Sequence, residues 1–368
     1  MTNTIRMFRH LRELKEPAVL ATLVGVSGSS YRKPGARLLM AAKGPNLGNV
    51  SAGCLEADLQ ARVQQVLDLG QAQLVQYDLG SELDLVWGTG MGCEGKADLL
   101  LEPMLPGRPL PWVHFCTQQL ERRRTCALAT VVATKGEVAF ALGDRFSYDD
   151  RNHGLLPMDP TLSIELGRVC IAAREDSSPR RQIFQVPGGE IDLLVEPLIP
   201  PMALWIYGAG EPGRILATMA SQLGWQIEIL DHRPALATSE RFPEAEHVRA
   251  GHPSETMAQL VLDRLSAAVV LSHVYPKDKE ALAYFLKSGA AFVGLQGNRK
   301  RSQKMLGELE AEGFEMTEAM RERFYFPVGL DLGAEAPEGI ALAILAEIQA
   351  VLAGRSGGHL RDRQAAIH

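Results

Sequence analysis

The chain has 368 residues, 46% hydrophobic and 22% charged, a length and balance that predict two or three globular domains with a sizeable core. Its formal net charge of −6 argues against a broad nucleic-acid-binding surface. The five cysteines (Cys54, Cys93, Cys116, Cys126, Cys170) are odd in number, widely spaced and contain no CxxC, so neither a disulfide framework nor a zinc ribbon is expected.

At the start, MTNTIRMFRHLRELKEP (1–17) lacks the apolar stretch of a secretory signal. No apolar run approaches the ~18–20 residues that a membrane span needs. A reducing cytoplasm is the expected setting. A strand is predicted over 20–26 and another over 37–41. Between them GSSYRKPG (28–35) forms a Gly/Ser-rich turn carrying Arg32 and Lys33. A second Gly-rich turn, GNVSAGCLEADL (48–59), presents Cys54 and Glu56 before a helix predicted over 55–69. A thiol near a helix N-terminus can become a thiolate, which is both nucleophile and soft-metal ligand. The alternative is a buried cysteine acting as a small hydrophobe. Alternating glycines in GTGMGCEG (88–95) surround Cys93. They suit either an anion nest or a β-bulge.

A strand is expected over 98–102, inside GKADLLLEPMLP (95–106). GEIDLLVEPLIP (189–200) matches that segment at seven of twelve positions. AVLATLV (18–24) likewise resembles CALATVV (126–132). We read this as a degenerate internal duplication. The starts are offset by 108 residues and the ends by 94, so the second copy is shorter by 14. It lacks GSSYRKPG and GCLE, so the first copy is expected to hold a ligand and the second to complete a shared sheet or sandwich. Pro-rich seams at 103–111 and 197–201 then divide the chain into 1–105, 106–200 and 201–368.

The last segment alternates strands and helices, which implies a parallel sheet. ALWIY (203–207) is a strand, GAGEPG (208–213) a turn and 214–223 a helix; QIEIL (226–230) is the next strand. Gly208, Gly210 and Gly213 make a GxGxxG in its required context, and Asp231 stands where a ribose-binding carboxylate is expected. Pro212 removes one N–H near the anion position and Glu211 adds negative charge, so a Rossmann domain without a dinucleotide is the competing reading. Strands are also predicted over 267–272 and 291–295. His273 and Asp278 follow the first of these, either as an acid/base or metal pair or with Asp278 as a helix cap. GNRKR (297–301), carrying Arg299, is either a phosphate contact or a solvated basic face. PEGIALAILAEIQAVL (337–352) is a closing helix with Pro and Glu in its first turn.

GSSYRKPGARLL, GCLEADL, GxGC before a DLLLEP segment, GAGEPG…DHRPALATSERFPEA and the tail with GLQGNRKR and FPVGLDLGAEAPEGIALAILAEI together resemble the XdhC/CoxI family. Its members are accessory factors for molybdenum hydroxylases such as xanthine dehydrogenase and carbon monoxide dehydrogenase. The likeness covers nearly the whole chain apart from residues 110–190. It implies an α/β chain: an N-terminal mixed domain with a degenerate repeat, then a Rossmann-like parallel domain. It also implies that the chain binds molybdenum cofactor as cargo, protects it while its sulfido ligand is installed and delivers it to the apo-enzyme. A cysteine desulfurase would be the sulfur source, and a homodimer is expected. On this resemblance Cys54, Glu56 and Cys93 carry the chemistry. Gly28, Ser29, Ser30, Arg32, Gly53, Gly90 and Gly92 cradle the cargo. From the motifs themselves, Gly208, Gly210, Gly213, Asp231 and Arg299 are the candidate contacts for NAD(P) or another nucleotide. Cys54 and His273 are candidate metal ligands. Two positions depart from the family pattern: Val274 follows His273 where Asp is usual, and Gly297-Asn298-Arg299 replaces Gly-Ser-Arg. The competing reading is an NAD(P)-dependent oxidoreductase built on 208–231; a docking scaffold with vestigial sites is a third.

Overall fold

The computed structural model describes residues 4–28, 32–42, 44–51, 53–78, 95–149, 160–258 and 260–364. It divides into two units, Met1–Pro200 and Pro201–His368.

The first unit holds two antiparallel sheets. In one, β1 (Ala18–Gly28), β2 (Arg37–Ala41), β3 (Leu47–Gly48), β4 (Gln73–Asp78) and β5 (Gly95–Met104) run in the order β3-β2-β1-β5-β4. The other contains β6 (Cys126–Gly136), β7 (Arg145–Tyr148), β8 (Arg180–Val186) and β9 (Gly189–Leu198), in the order β7-β6-β9-β8. The two share a plan. β1 lies between β2 and β5 as β6 lies between β7 and β9. Thr22 faces Arg37 as Thr130 faces Arg145, and a bulge falls between Leu23 and Gly25 as between Val131 and Ala133. Val24, Leu100, Val132 and Leu194, one from each central strand, pack as one apolar cluster.

β1 reads as an unbroken apolar run because both of its faces are covered. Val19, Ala21 and Leu23 pack with Leu59, Val63 and Val66 of α2 (Glu56–Leu69). Ala18 and Leu20 pack with α1 (Thr4–Arg12) and α3 (Pro111–Glu121), where Phe8 meets Trp112 edge-on at 5.4 Å. α2 ends where Gly70 turns left-handed (φ 66°) and donates its N–H to Val66. In the second sheet α4 (Pro160–Glu175) takes the place of α2, covering β6 and β9 with Leu162, Leu166 and Cys170.

The second unit is a parallel sheet of β10 (Ala203–Tyr207), β11 (Gln226–Asp231), β12 (His247–Ala250), β13 (Ser266–Val270), β14 (Phe292–Leu295) and β15 (Phe324–Tyr325). Its order, β12-β11-β10-β13-β14-β15, is the 3-2-1-4-5-6 of a Rossmann domain. Side chains alternate between two layers. Leu204 and Ile206 face α5 (Glu211–Gln222) and α10 (Pro337–Leu352). Trp205 and Tyr207 face α7 (Tyr275–Lys287) and α8 (Arg299–Ala311). Each fully buried Leu or Phe in these layers contributes about 1.5–3 kcal/mol. The expected strand over 267–272 ends at Val270: Leu271 N–H still donates to Tyr207 O (2.9 Å), and Ser272 then turns to bond Asp278 of α7. Two short helices, α6 (Pro253–Thr256) and α9 (Glu318–Glu322), complete the unit.

Candidate functional site

In the first unit the stems of the 28–35 turn are tied together: Leu23 N–H donates to Ala36 O and Gly35 N–H to Leu23 O, both at 2.8 Å. Gly28 (φ 75°) and Gly35 (φ 93°) take left-handed conformations that a side chain would strain. Arg32 lies on this turn, half-buried. Ser29 and Ser30 lie outside the described residues, as do Gly90, Gly92 and Cys93.

The second turn is built around Ser51 and Glu56. The Ser51 hydroxyl donates to the Glu56 carboxylate and accepts from Gly53 N–H (3.1 Å) and Leu55 N–H (3.2 Å). Glu56 also accepts from Ser51 N–H (3.0 Å) and Val50 N–H (3.3 Å). Burial alone would raise the Glu56 carboxyl, but the bonds from Ser51 and the backbone outweigh it and hold it below its usual range. Glu56, expected to act chemically, is thus engaged in shaping the turn that carries Cys54. Among the described residues nothing lies within 4 Å of where a Gly53 side chain would begin. Cys54 is half-buried, whereas Cys116, Cys126 and Cys170 are buried. Val26 and Ala36, from the stems of the first turn, border the same apolar cluster as Cys54. Both turns therefore open over one core.

Sequence reasoning missed a cavity of about 400 Å³ beside the foot of the first turn. Its lining includes Gly25, Lys96 and Asp98 of the first sheet, and Arg180 and Arg181 of the second. Pairing across two sheets leaves no local signal in a sequence.

In the second unit the GxGxxG turn sits where the strand order reverses, the usual ligand crevice of such sheets. A side chain at Gly208 (φ 136°) would begin 2.8 Å from the backbone of Leu271 and Ser272, and one at Gly213 2.0 Å from the Gly208 carbonyl oxygen. At Gly210 the nearest atom among the described residues is Pro212 Cδ at 3.8 Å, so this position is open on the side a Cβ would take. Asp231 is fully buried. It accepts from Ala209 N–H (2.6 Å), Arg233 N–H (2.8 Å) and the Arg233 guanidinium (2.7 and 2.9 Å). Burial would raise its carboxyl, but these donors hold it below its ordinary value. Asp231 therefore ties the Gly-rich turn to Arg233. Next to it, burial pushes the His232 imidazole below its usual value against the pull of Asp231.

Asp278, read from sequence either as a partner of His273 or as a helix cap, bonds in the structure to Ser272 and Arg301. Asp278 accepts from the Ser272 hydroxyl (2.6 Å), Ser272 N–H (3.2 Å) and Arg301 (2.7 Å). His273 is exposed, with φ 66°. Among the described residues no group of three His, Cys, Asp or Glu lies together as a metal site. Arg299 opens α8, exposed, while Asn298 caps that helix by accepting from Arg301 N–H. No described helix is long and apolar enough to cross a membrane.

Paired antiparallel sheets carrying a thiol-bearing turn, followed by a Rossmann unit, define the architecture of a two-part α/β protein. The chain belongs to the XdhC and CoxI family. The profile of that family matches residues 11–78, and the profile described as the XdhC Rossmann domain matches 204–348. A curated relative from Bacillus subtilis (strain 168), named as a probable xanthine dehydrogenase subunit, is 30% identical over 348 residues, covering 95% of this chain and 97% of its own. The molybdenum cofactor insertion chaperone PaoD of Escherichia coli (strain K12) is 23% identical over 335 residues, covering 91% of this chain and 83% of its own. A solved structure described as a xanthine dehydrogenase from Bacillus halodurans superposes with a TM-score of 0.70 at 27% identity, covering 97% of both chains. Family membership and these relatives support an accessory role for molybdenum enzymes.

Proposed function

We propose that this chain binds molybdenum cofactor as cargo on its first unit, shelters it during sulfuration and passes it to the apo-form of a molybdenum hydroxylase. A cysteine desulfurase supplies the sulfur, and the working form is a homodimer. One observation carries the reading: Cys54 is half-buried on a turn braced by Ser51 and Glu56, above the same core as both stems of the 28–35 turn. A thiol so placed suits a metal carried by a pterin dithiolene. The relative named as a molybdenum cofactor insertion chaperone supports the same role. The test is isolation from cells that make the cofactor, without air, followed by molybdenum and pterin analysis. Wild-type chain carries both, and Cys54→Ser loses them. Wild-type chain devoid of both overturns the proposal.

A second ligand is favoured by the open position at Gly210 and the reversal of strand order beside it. We infer that the second unit binds a phosphate-bearing nucleotide there, NAD(P) among the candidates. The sealed carboxylate of Asp231 makes backbone contact to phosphate, rather than a ribose hydroxyl bond, its main element. Titration with NAD⁺ and NADP⁺ decides.

A further inference from the structure

We propose that the cavity beside the 28–35 turn seats the phosphate-monoester end of the cargo, and that Arg181, from the second sheet, is its specificity-determining contact. This rests on the cargo reading above and assigns the second sheet a part in it.

The repeated plan of the two sheets supplies the first argument. Thr22 facing Arg37 and Thr130 facing Arg145 are equivalent pairs, but the two residues that meet at the cavity have no such equivalents. Arg181 faces Leu194 across its ladder; the equivalent position facing Leu100 is Leu74. Gly25 faces Asp98, and its equivalent facing Asp192 is Ala133. A side chain at Gly25 would begin 2.7 Å from the Asp98 carboxylate and 2.8 Å from the Arg181 guanidinium. Glycine at the bulge is what lets these two charges meet, and the arrangement exists on one side only.

Charge gives the second argument. Lys96, Arg180 and Arg181 line the cavity with Asp98, the one carboxylate among its described lining residues, while Asp78, Asp176 and Asp192 pair with the three cations from outside that lining. Arg181 is held by Asp192 at 2.8 Å and, more loosely, by Asp98 at 3.3 Å. Lys96 lies 3.7 Å from Asp78, and Arg180 pairs with Asp176. With 36% of its side chain exposed, Arg181 is free to exchange its long contact to Asp98 for a ligand. A phosphate monoester offers two oxygens that the planar guanidinium fork can bond in parallel. In this arrangement Asp98 is the counter-charge that a phosphate displaces, and Gln76 keeps Asp98 in place by donating to it at 2.8 Å.

The experiment measures binding by the intrinsic fluorescence of a pterin that carries a side-chain phosphate. The same pterin without phosphate and adenosine monophosphate serve as the other two arms. Wild-type chain binds the phosphorylated pterin most tightly. Arg181→Gln loses about tenfold or more of that affinity and leaves the unphosphorylated pterin unchanged. Asp98→Asn removes the competing carboxylate and tightens the phosphorylated pterin several-fold, which a merely structural residue would not do. Equal losses for both pterins in Arg181→Gln, or equal binding of adenosine monophosphate, overturn the assignment. Full affinity in Arg181→Gln does so as well. The molybdenum content of wild-type chain from cofactor-producing cells is read in parallel. If it is present while Arg181→Gln binds normally, this inference fails and the cargo reading survives; if it is absent, the cargo reading itself fails.

Discussion

Arg37 on β2 and Glu196 on β9 form a buried ion pair that joins the two sheets of the first unit. Arg145 on β7 and Glu102 on β5 form its counterpart, bidentate at 2.5 and 2.6 Å. All four side chains are at most 7% exposed. Arg37 also lies over Phe8 and Arg145 over Trp112, at 5.5 and 4.3 Å from the ring centres. Removing one member of such a pair strands a buried charge and costs about 3–5 kcal/mol, whereas replacing both by apolar residues costs less. Glu196→Gln is therefore expected to lower stability to urea by about that amount, and Arg37→Met with Glu196→Leu by less. A single-variant loss under about 1 kcal/mol would show that solvent reaches the pair.

Thiol labelling separates Cys54 from the buried cysteines. Burial pushes the Cys170 thiol up to about 12, and burial beside Cys126 pushes Cys116 well above its usual value. In a Cys93→Ser chain, iodoacetamide under native conditions is expected to modify Cys54 alone. Mass spectrometry of the digested chain reads this directly, and modification of Cys116 or Cys170 before Cys54 would contradict the structure.

Acid should loosen the Cys54 turn, and the sign follows from Glu56. Its carboxyl titrates lower in the folded chain than in the unfolded one, where it sits at about 4.3. Its stabilising contribution is therefore fully present above that unfolded value and is lost as pH falls through the lower, folded one. The melting-temperature difference between wild type and Glu56→Gln is expected to be full at neutral pH and to shrink below about pH 4. A difference that grows in acid would mean that Glu56 is not an acceptor in the folded turn.

The parts of the molecule legible in sequence are those whose physics is local. The ALWIY strand, its glycine turn and the helix after it lie within twenty residues, and all are found. The segments 95–106 and 189–200 contain β5 and β9, each a central strand of its own sheet. What escaped is partner choice. Asp231 stands at the spacing of a ribose ligand, yet Arg233, two residues on, occupies it. Asp278 stands near His273 in sequence, yet the left-handed turn at His273 leaves Ser272 as its partner. Arg181 reaches Asp98 across two sheets, a pairing that only tertiary structure creates. His247–Ala250, an edge strand with exposed ends, offers no apolar run to reveal it.

Two glycines of the second unit are expected to part company under substitution. Gly213→Ala would drive a methyl to 2.0 Å from the Gly208 carbonyl oxygen, forcing α5 away from β10. Overpacking of that kind costs about 1–3 kcal/mol, visible as a lower melting temperature. Gly210→Ala meets nothing nearer than 3.8 Å, and its φ of −71° is one any residue adopts. Its fold and melting temperature should match wild type. If a phosphate-bearing nucleotide approaches the turn at this point, the added methyl stands in its path, and affinity should drop about tenfold with stability unchanged. Unchanged affinity in Gly210→Ala would place the nucleotide elsewhere, and a stability loss equal to that of Gly213→Ala would mean the space beside Gly210 is not open.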